Sequence, residues 1–174
     1  HPGPGYGGSC FPKDTLALVK TAELFDVPVS IVSEVVAYNA ARKAAMDGRV
    51  ITACDGDVSG KQIAILGLAF KPETDDMRES PSLVLTELLE AEGAKVAYHD
   101  PYVTVIPPTR QHDDLAGRES LELTPETISQ ADAVLISTNH DDLDYQMLAD
   151  NSTLIIDTRN AMKDFPGKAI VVKA

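Results

Sequence analysis

The first third of the chain carries apolar residues at helical spacing. Beyond Pro12, one face of an amphipathic helix is formed by Leu18, Val19, Ala22 and Phe25. The stretch from Val29 to Cys54 then contains no proline and one glycine, Gly48, while apolar pairs recur at helical intervals. This pattern predicts a second helix of about 25 residues, roughly 38 Å long. Such a rod either packs on another subunit or serves as an ordinary core helix.

Beyond Lys61 the pattern changes to short apolar runs that alternate with amphipathic stretches. The runs predict strands at 62–68, 95–99, 133–137, 154–157 and 169–172. The intervening stretches predict helices at 82–91, after an N-cap at Ser80-Pro81, from Thr124 onward, and at 143–149. This alternation is typical of an α/β fold in which helices cover both faces of a parallel sheet. We therefore divide the chain into a loop and long helix at 1–60 and a Rossmann-like half at 61–174.

The charge of the chain disfavours two classes of partner. Its 174 residues hold 15 basic and 27 acidic side chains, a net charge of −12, and the sheet half holds most of the acids. Such a field repels nucleic-acid backbones and anionic lipid, so we expect neither partner. No apolar run approaches the roughly 18 residues that a membrane helix needs. The two cysteines form no disulfide framework, which favours a cytoplasmic protein.

The chain opens on HPGPGYGG, a glycine-dense loop with no initiator Met and no signal peptide. We expect the loop to be flexible and the chain to be the C-terminal piece of a longer protein. Gly3, Gly5 and Gly8 spell GxGxxG, but no strand precedes them, so the pattern is not a dinucleotide fingerprint here. The first strand of the sheet half holds a single glycine, Gly67, and lacks the phosphate turn. We therefore interpret Asp100, which follows the second predicted strand, as a helix cap or a surface acid.

Cys10 lies where the glycine loop gives way to the first helix. The positive end of a helix and the nearby Lys13 both favour a thiolate, and Asp14 follows at the spacing of one helical turn. A nucleophilic sulfur beside a carboxylate suits covalent catalysis followed by attack of water. A small buried cysteine beside a solvated acid is the alternative. Cys54, at the end of the long helix, is predicted to be core.

Three cations follow predicted strands of the acidic half. Lys71 and Arg78 lie in the loop after the first strand, and Arg159 follows a later strand. Ligands of open parallel sheets bind beyond this edge, which favours an anion site over three separate salt bridges. His140 and the acids near it lack the spacing of a metal site, so we interpret them as a solvated loop and helix cap, and predict no metal.

Three long motifs resemble one family. The segments GPGYGGSCFPKD at 3–14, GLAFKPETDDMRESPS at 67–82 and DTRNAM at 157–162 are similar, in this order, to the nucleotide-sugar 6-dehydrogenases of the UDP-glucose/GDP-mannose dehydrogenase family. The resemblance covers essentially the whole chain. It implies that residues 1–60 hold the catalytic loop and the central dimerisation helix, that residues 61–174 bind UDP, and that the N-terminal NAD-binding domain is absent from this chain.

The resemblance also implies a set of site residues. Cys10 would be the nucleophile and Asp14 would help to position the hydrolytic water, while Lys13 and Arg78 would reach the NAD cofactor. Phe70 and Lys71 would contact the substrate, with Arg159 at its UDP end. The loop residues that would wrap the sugar and ribose are Gly3, Gly5, Tyr6 and Gly7.

The implied reaction is the four-electron, NAD-dependent oxidation of the C6 hydroxyl of a nucleotide sugar through a cysteine thiohemiacetal and thioester. The segment 9–13 is of the UDP-glucose kind, whereas 98–110, 138–148 and 156–160 look more like UDP-N-acetylhexosamine dehydrogenases, and GDP-mannose also stays open. The resemblance further implies a homodimer through the central helix. The isolated chain is expected to be inactive, so a non-catalytic UDP-binding and dimerisation module is the alternative function.

Overall fold

The computed structural model describes residues 3–174. Two helices come first, α1 at Cys10–Leu24 and α2 at Ser30–Ala53, which confirms both predicted helices. The first begins earlier than its proline suggested, because Cys10 itself occupies the first turn.

The sheet half follows the predicted order of elements. Its strands are β1 Gln62–Leu66, β2 Lys95–His99, β3 Ala133–Ile136, β4 Leu154–Asp157 and β5 Ile170–Lys173. Its helices are α3 Pro81–Ala91, α4 Pro125–Ser129 and α5 Tyr145–Asn151, with 3-10 turns at Asp113–Leu115 and Ala161–Asp164 that the sequence pattern did not indicate. The helices begin at side-chain caps, since Ser80, Thr124 and Asp144 each accept a backbone N–H of the first turn.

All five strands run parallel, in the order β2-β1-β3-β4-β5, which confirms the α/β prediction. Successive strand residues point to opposite faces, so β1 places Ile63 and Ile65 in one core and Ala64 and Leu66 in the other. Helix α3 and the end of α2 cover the first face, and α4 and α5 cover the second. Burial on both faces explains the continuous apolar runs of the central strands β1, β3 and β4.

The two halves of the long helix α2 differ in burial. Its C-terminal half is a core helix, because Met46 and Val50 are buried against the sheet half. Its N-terminal half and α1 expose an apolar surface, formed by Phe11, Leu16, Leu18, Leu24, Phe25, Val27, Ile31, Val35 and Tyr38. Among the helices of residues 3–174, none is both long and apolar enough to cross a membrane.

Candidate functional site

The glycine loop, residues 3–8, lies against the edge where the parallel strands end. A side chain at Gly3 would overlap the guanidinium of Arg159, which follows β4. A side chain at Gly7 would overlap the carbonyl oxygen of Glu79, and one at Gly8 would press on the Phe70 ring. Glycine is therefore needed at these positions because the loop backbone packs directly on the sheet half. The two halves of the chain meet at this edge.

The loop is held in place, so the expectation of a flexible loop was wrong. Asn39 of α2 grips the backbone of Tyr6 from both sides: its Oδ1 accepts the Tyr6 N–H at 2.8 Å, and its Nδ2 donates to the Tyr6 carbonyl at 3.3 Å. One turn further, Arg42 Nε donates to the Gly3 carbonyl at 2.7 Å. Gly8 N–H donates to the carbonyl of Arg78 at 2.7 Å. The long helix thus fixes the segment that leads to Cys10.

Removing the two hydrogen bonds between Asn39 and the backbone of Tyr6 should loosen the glycine loop. We expect Asn39→Ala to accelerate hydrogen exchange of the Tyr6 amide by more than about tenfold, because that amide loses its acceptor and the loop opens without global unfolding. Exchange measured by NMR or mass spectrometry checks the prediction. Asn151→Ala is the control, since Asn151 donates only to a carbonyl of its own helix. An unchanged rate of hydrogen exchange at the Tyr6 amide in the Asn39 variant would contradict the role of Asn39 in holding the loop.

Cys10 is exposed at the first residue of α1, with no side chain capping the helix start. Its thiol therefore faces solvent at the end that carries unpaired backbone N–H groups, as predicted. The ammonium of Lys13 forms an ion pair with Asp14, and the hydrogen bond that it donates to this carboxylate is the main reason that the pKa of Lys13 is raised. Both side chains are exposed, so the pair adds little to stability. It does keep a cation and a carboxylate within the same helical turn as the thiol.

The three predicted cations stand at this edge in different settings. Arg78 pairs with Asp76, with Nη2 2.6 Å from Oδ2, and this hydrogen bond is the main cause of the raised pKa of Arg78. Lys71 is exposed with its Nζ 5.4 Å above the Phe70 ring. Arg159 is partly buried, and its Nε donates to a strand-end carbonyl at 2.6 Å. Among the described residues, no carboxylate lies within ion-pair distance of Arg159. Burial lowers the pKa of Arg159, so a bound anion would stabilise its charged form.

Asp100 is buried, so the prediction of a surface acid or helix cap was wrong. Its carboxylate accepts the backbone N–H groups of Leu68 at 2.7 Å and Ala69 at 3.0 Å, and those of Tyr102 and Val103 on its other oxygen. Burial by itself would raise the pKa of Asp100. The hydrogen bonds from a buried histidine and from the backbone outweigh it and lower the pKa to about 2.

The buried histidine is His140, which was expected in a solvated loop. It has no exposed surface, and its Nε2 lies 3.1 Å from Oδ2 of Asp100. The expectation of a helix cap nearby was correct, because Asp144 caps α5. Among residues 3–174, no group of three or more His, Cys, Asp or Glu side chains is arranged to hold a metal ion.

The sheet of this chain does not fit a dinucleotide. In a dinucleotide site the backbone N–H groups after the first strand hold the pyrophosphate, and an acid after the second strand binds the ribose. Here Asp100 turns inward and occupies the N–H groups of Leu68 and Ala69. Gly67 packs so closely against the backbone of Thr138 that a side chain at this position would overlap it. A nucleotide at this edge must be held by side chains and by the glycine loop.

The sequence matches two domains of one family. Residues 64–164 match the UDP binding domain of the UDP-glucose/GDP-mannose dehydrogenase family, and residues 1–41 match its central domain. The chain is 44% identical over 165 residues to a UDP-glucose 6-dehydrogenase of Rhizobium meliloti (strain 1021). This alignment covers 92% of the chain and 37% of the relative, so the chain spans well under half of that protein.

Solved structures agree with the sequence matches. A UDP-D-ManNAc dehydrogenase from Pyrococcus horikoshii superimposes with a TM-score of 0.78 at 28% identity, over 98% of this chain and 39% of that one. A UDP-glucose dehydrogenase from Pyrobaculum islandicum gives a TM-score of 0.72 at 30% identity, over 89% of this chain and 34% of that one. The family match covers more than half of the sequence, and the fold and the motifs at the strand edge agree with it. The chain belongs to the UDP-glucose/GDP-mannose dehydrogenase family.

Proposed function

We propose that this chain is part of an enzyme that oxidises the C6 hydroxyl of UDP-glucose to a carboxylate in two NAD-dependent steps. The observation that carries the proposal is the position of Cys10. Its exposed thiol begins α1 directly after a glycine loop that is packed on Phe70 and Arg159 at the strand edge. A nucleophile and a nucleotide-binding surface therefore belong to one rigid arrangement.

The sulfur of Cys10 carries the carbon that is being oxidised. The first oxidation gives a C6 aldehyde, and the thiol adds to its carbonyl to form a thiohemiacetal. The second oxidation converts this adduct to a thioester, and attack of water releases the acid and restores the thiol. NAD, when bound, accepts the hydride in each oxidation. Asp14 lies one helical turn from the thiol and, once its Lys13 partner turns to the cofactor, positions the attacking water.

The substrate lies along the strand edge in this proposal. Gly3, Gly5, Tyr6 and Gly7 wrap the sugar and ribose with their backbone, since the absence of side chains lets a ligand approach closely. Phe70 and Lys71 contact the substrate from the loop after β1, and the poorly compensated charge of Arg159 takes the diphosphate.

The cofactor is held mostly by residues outside these 174, because the sheet half does not fit a dinucleotide. The two residues that we assign to NAD are Lys13 and Arg78. Both are exposed and near the thiol in the chain's fold, because Lys13 lies in the first turn of α1 with Cys10 and the Arg78 carbonyl accepts the N–H of Gly8, two residues before Cys10. Once released from their carboxylate partners, they suit the pyrophosphate of a cofactor carried by a separate domain.

The two halves of the chain have different roles in this proposal. Residues 1–60 present the thiol and form a homodimer through α2, and residues 61–174 bind UDP. The exposed apolar surface of α1 and the first half of α2 supports the dimer, because apolar patches of this kind mark protein interfaces. The two free cysteines suit the reducing cytoplasm. The isolated chain binds UDP and does not turn over substrate.

Product stoichiometry tests the reaction. With the full-length protein, UDP-glucose should yield two NADH per sugar, because each oxidation step reduces one NAD. A panel that adds UDP-N-acetylglucosamine, UDP-N-acetylmannosamine and GDP-mannose identifies the preferred sugar, and isothermal titration of the 174-residue chain with UDP measures binding alone. UDP binding without NADH formation by the full-length protein would favour a non-catalytic module instead.

A further inference from the structure

The segment 68–73, which joins β1 to the loop before α3, carries the two proposed substrate contacts and is anchored at its start by a buried carboxylate. Oδ2 of Asp100 accepts the N–H groups of both Leu68 and Ala69. The Asp100 side chain has no exposed surface. A carboxylate in this position fixes the exit of β1 by hydrogen bonds that water cannot replace.

The far end of the segment is anchored by the imidazole that pairs with this carboxylate. The N–H of Glu73 donates to Nδ1 of His140 at 3.2 Å, so Nδ1 must be an acceptor. The proton of the neutral ring therefore sits on Nε2, which donates to Asp100. One buried pair thus holds residues 68 and 69 through its carboxylate and residue 73 through its imidazole.

Glu73 needs this anchor because its backbone is strained. It has φ of 57°, in the left-handed region that non-glycine residues rarely adopt. Its carboxylate accepts the Asp141 N–H at 2.8 Å and the Tyr102 hydroxyl, and that hydroxyl is the main reason that the pKa of Glu73 is lowered. The Tyr102 ring lies 5.1 Å from the His140 ring. The strained turn is therefore held from both sides.

Between its anchors the segment meets the glycine loop. The Phe70 N–H donates to the Asp76 carbonyl at 3.0 Å, and the Phe70 ring is the surface against which Gly8 packs. Lys71 follows directly, with its ammonium above the same ring. A shift of the segment would carry both side chains away from the loop that leads to Cys10.

We propose that the buried Asp100–His140 pair is a positioning device that sets Lys71 against the nucleotide sugar. This inference rests on the proposed function, since it assigns the pair an effect on the UDP-glucose site. Neither member of the pair touches substrate. The pair acts through Lys71, so its loss should weaken substrate binding and leave the thiol chemistry nearly intact.

A double-mutant cycle on the full-length protein tests this coupling. His140→Phe keeps the ring shape and removes both nitrogen contacts, and it should raise the KM for UDP-glucose by about tenfold while kcat stays within about twofold. In a Lys71→Ala background the same substitution should change KM by less than about twofold, because the contact through which it acts is already gone. His140→Asn, which retains an acceptor near the Glu73 N–H, should restore part of the loss.

The matched control is His99→Phe, because His99 stands at the same strand edge and its Nδ1 contacts only the Leu121 carbonyl and the Ser120 hydroxyl. It should leave KM and kcat unchanged. If the His140→Phe protein does not fold, the same double-mutant cycle can be measured with Tyr102→Phe in place of His140→Phe. Tyr102→Phe removes the hydroxyl contacts with the carboxylates of Glu73 and Asp142 and should raise KM by about threefold.

The outcomes separate the two proposals. An equal rise in KM in both backgrounds would overturn the positioning role, because the pair would then act independently of Lys71. A fall in kcat with unchanged KM would also overturn it. If Lys71→Ala itself left KM unchanged, the substrate contact and the positioning role would both be wrong, whereas two NADH per UDP-glucose would still support the reaction. Absence of any NADH from the wild-type protein would instead reject the proposed function.

Discussion

Cys10→Ala is expected to abolish formation of the sugar acid in the full-length protein. Without the sulfur, the aldehyde cannot be held as a thiohemiacetal and no thioester can form, so the yield of acid should fall by more than about a thousandfold. Affinity for UDP should change by less than about twofold, because the thiol lies at the helix start and makes none of the proposed nucleotide contacts, which come from the glycine loop and the sheet half. Chromatography of the products and NADH absorbance measure the first effect, and isothermal titration measures the second.

Cys54→Ala is the matched control for thiol removal. Cys54 is buried at the end of α2 in the core, and burial is the main reason that its pKa is raised, so it is inert and should tolerate loss of its sulfur without loss of turnover. The Cys54 variant should give two NADH per UDP-glucose, like the wild-type protein. Two-step turnover by the Cys10 variant would show that the acid forms without covalent capture, and the proposed mechanism would then fail.

The order of elements was predictable because it depends on local patterns. Apolar runs in β1 and β3, and the caps at Ser80 and Asp144, can each be recognised within a window of a few residues. The two-sided burial of the sheet also followed, because strands without polar alternation must be covered on both faces. The sequence pattern missed the boundary at Cys10, since proline marks a first turn but does not fix where the turn begins.

The supports of the candidate site could not be predicted, because each joins distant parts of the chain. Asn39 meets Tyr6 across 33 positions, and Asp100 meets His140 across 40. A single asparagine in a helix carries no local signal that its amide will grip a loop. Asp100 was misassigned for the same reason: its place after the second strand indicated a helix cap or a surface acid, whereas its partners include distant N–H groups at the exit of β1.

The positions of Cys10 and of the three cations were predictable, and the partners of the cations were not. The position of Cys10 at a helix start follows from the neighbouring glycines and proline. That Lys13 turns to Asp14 and Arg78 to Asp76 follows only from side-chain placement. The spacing of Gly3, Gly5 and Gly8 resembles a phosphate turn. In this structure Gly3 instead packs on Arg159 and Gly8 packs on Phe70. The same pattern therefore serves packing between two halves of a site.

Asp100→Asn is expected to destabilise the 174-residue chain by about 3 kcal/mol at neutral pH. The amide has the shape of the carboxylate, but its NH2 group would face backbone N–H groups and could accept none of them. Four N–H groups and His140 converge on this side chain, so one or more of these donors would lose their acceptor. Urea unfolding followed by circular dichroism measures the loss. Asp132→Asn is the control, because Asp132 is exposed and accepts one N–H, from Gln62, so its loss should cost under about 1 kcal/mol.

The pH dependence of the difference in unfolding free energy separates the charge of Asp100 from its capacity to accept hydrogen bonds. The pKa of Asp100 in the folded chain is about 2, below the ordinary value of 3.8, so the ionised form stabilises the fold above pH 4. This contribution, about 2 kcal/mol, is lost as the pH falls from about 4 toward 2, where the wild-type carboxyl becomes protonated. The asparagine variant has no such group, so the gap in unfolding free energy between the two proteins should narrow through that window. A gap that stays constant from pH 7 to pH 3 would mean that the cost of Asp100→Asn comes from the lost hydrogen-bond acceptor and not from the charge of the carboxylate.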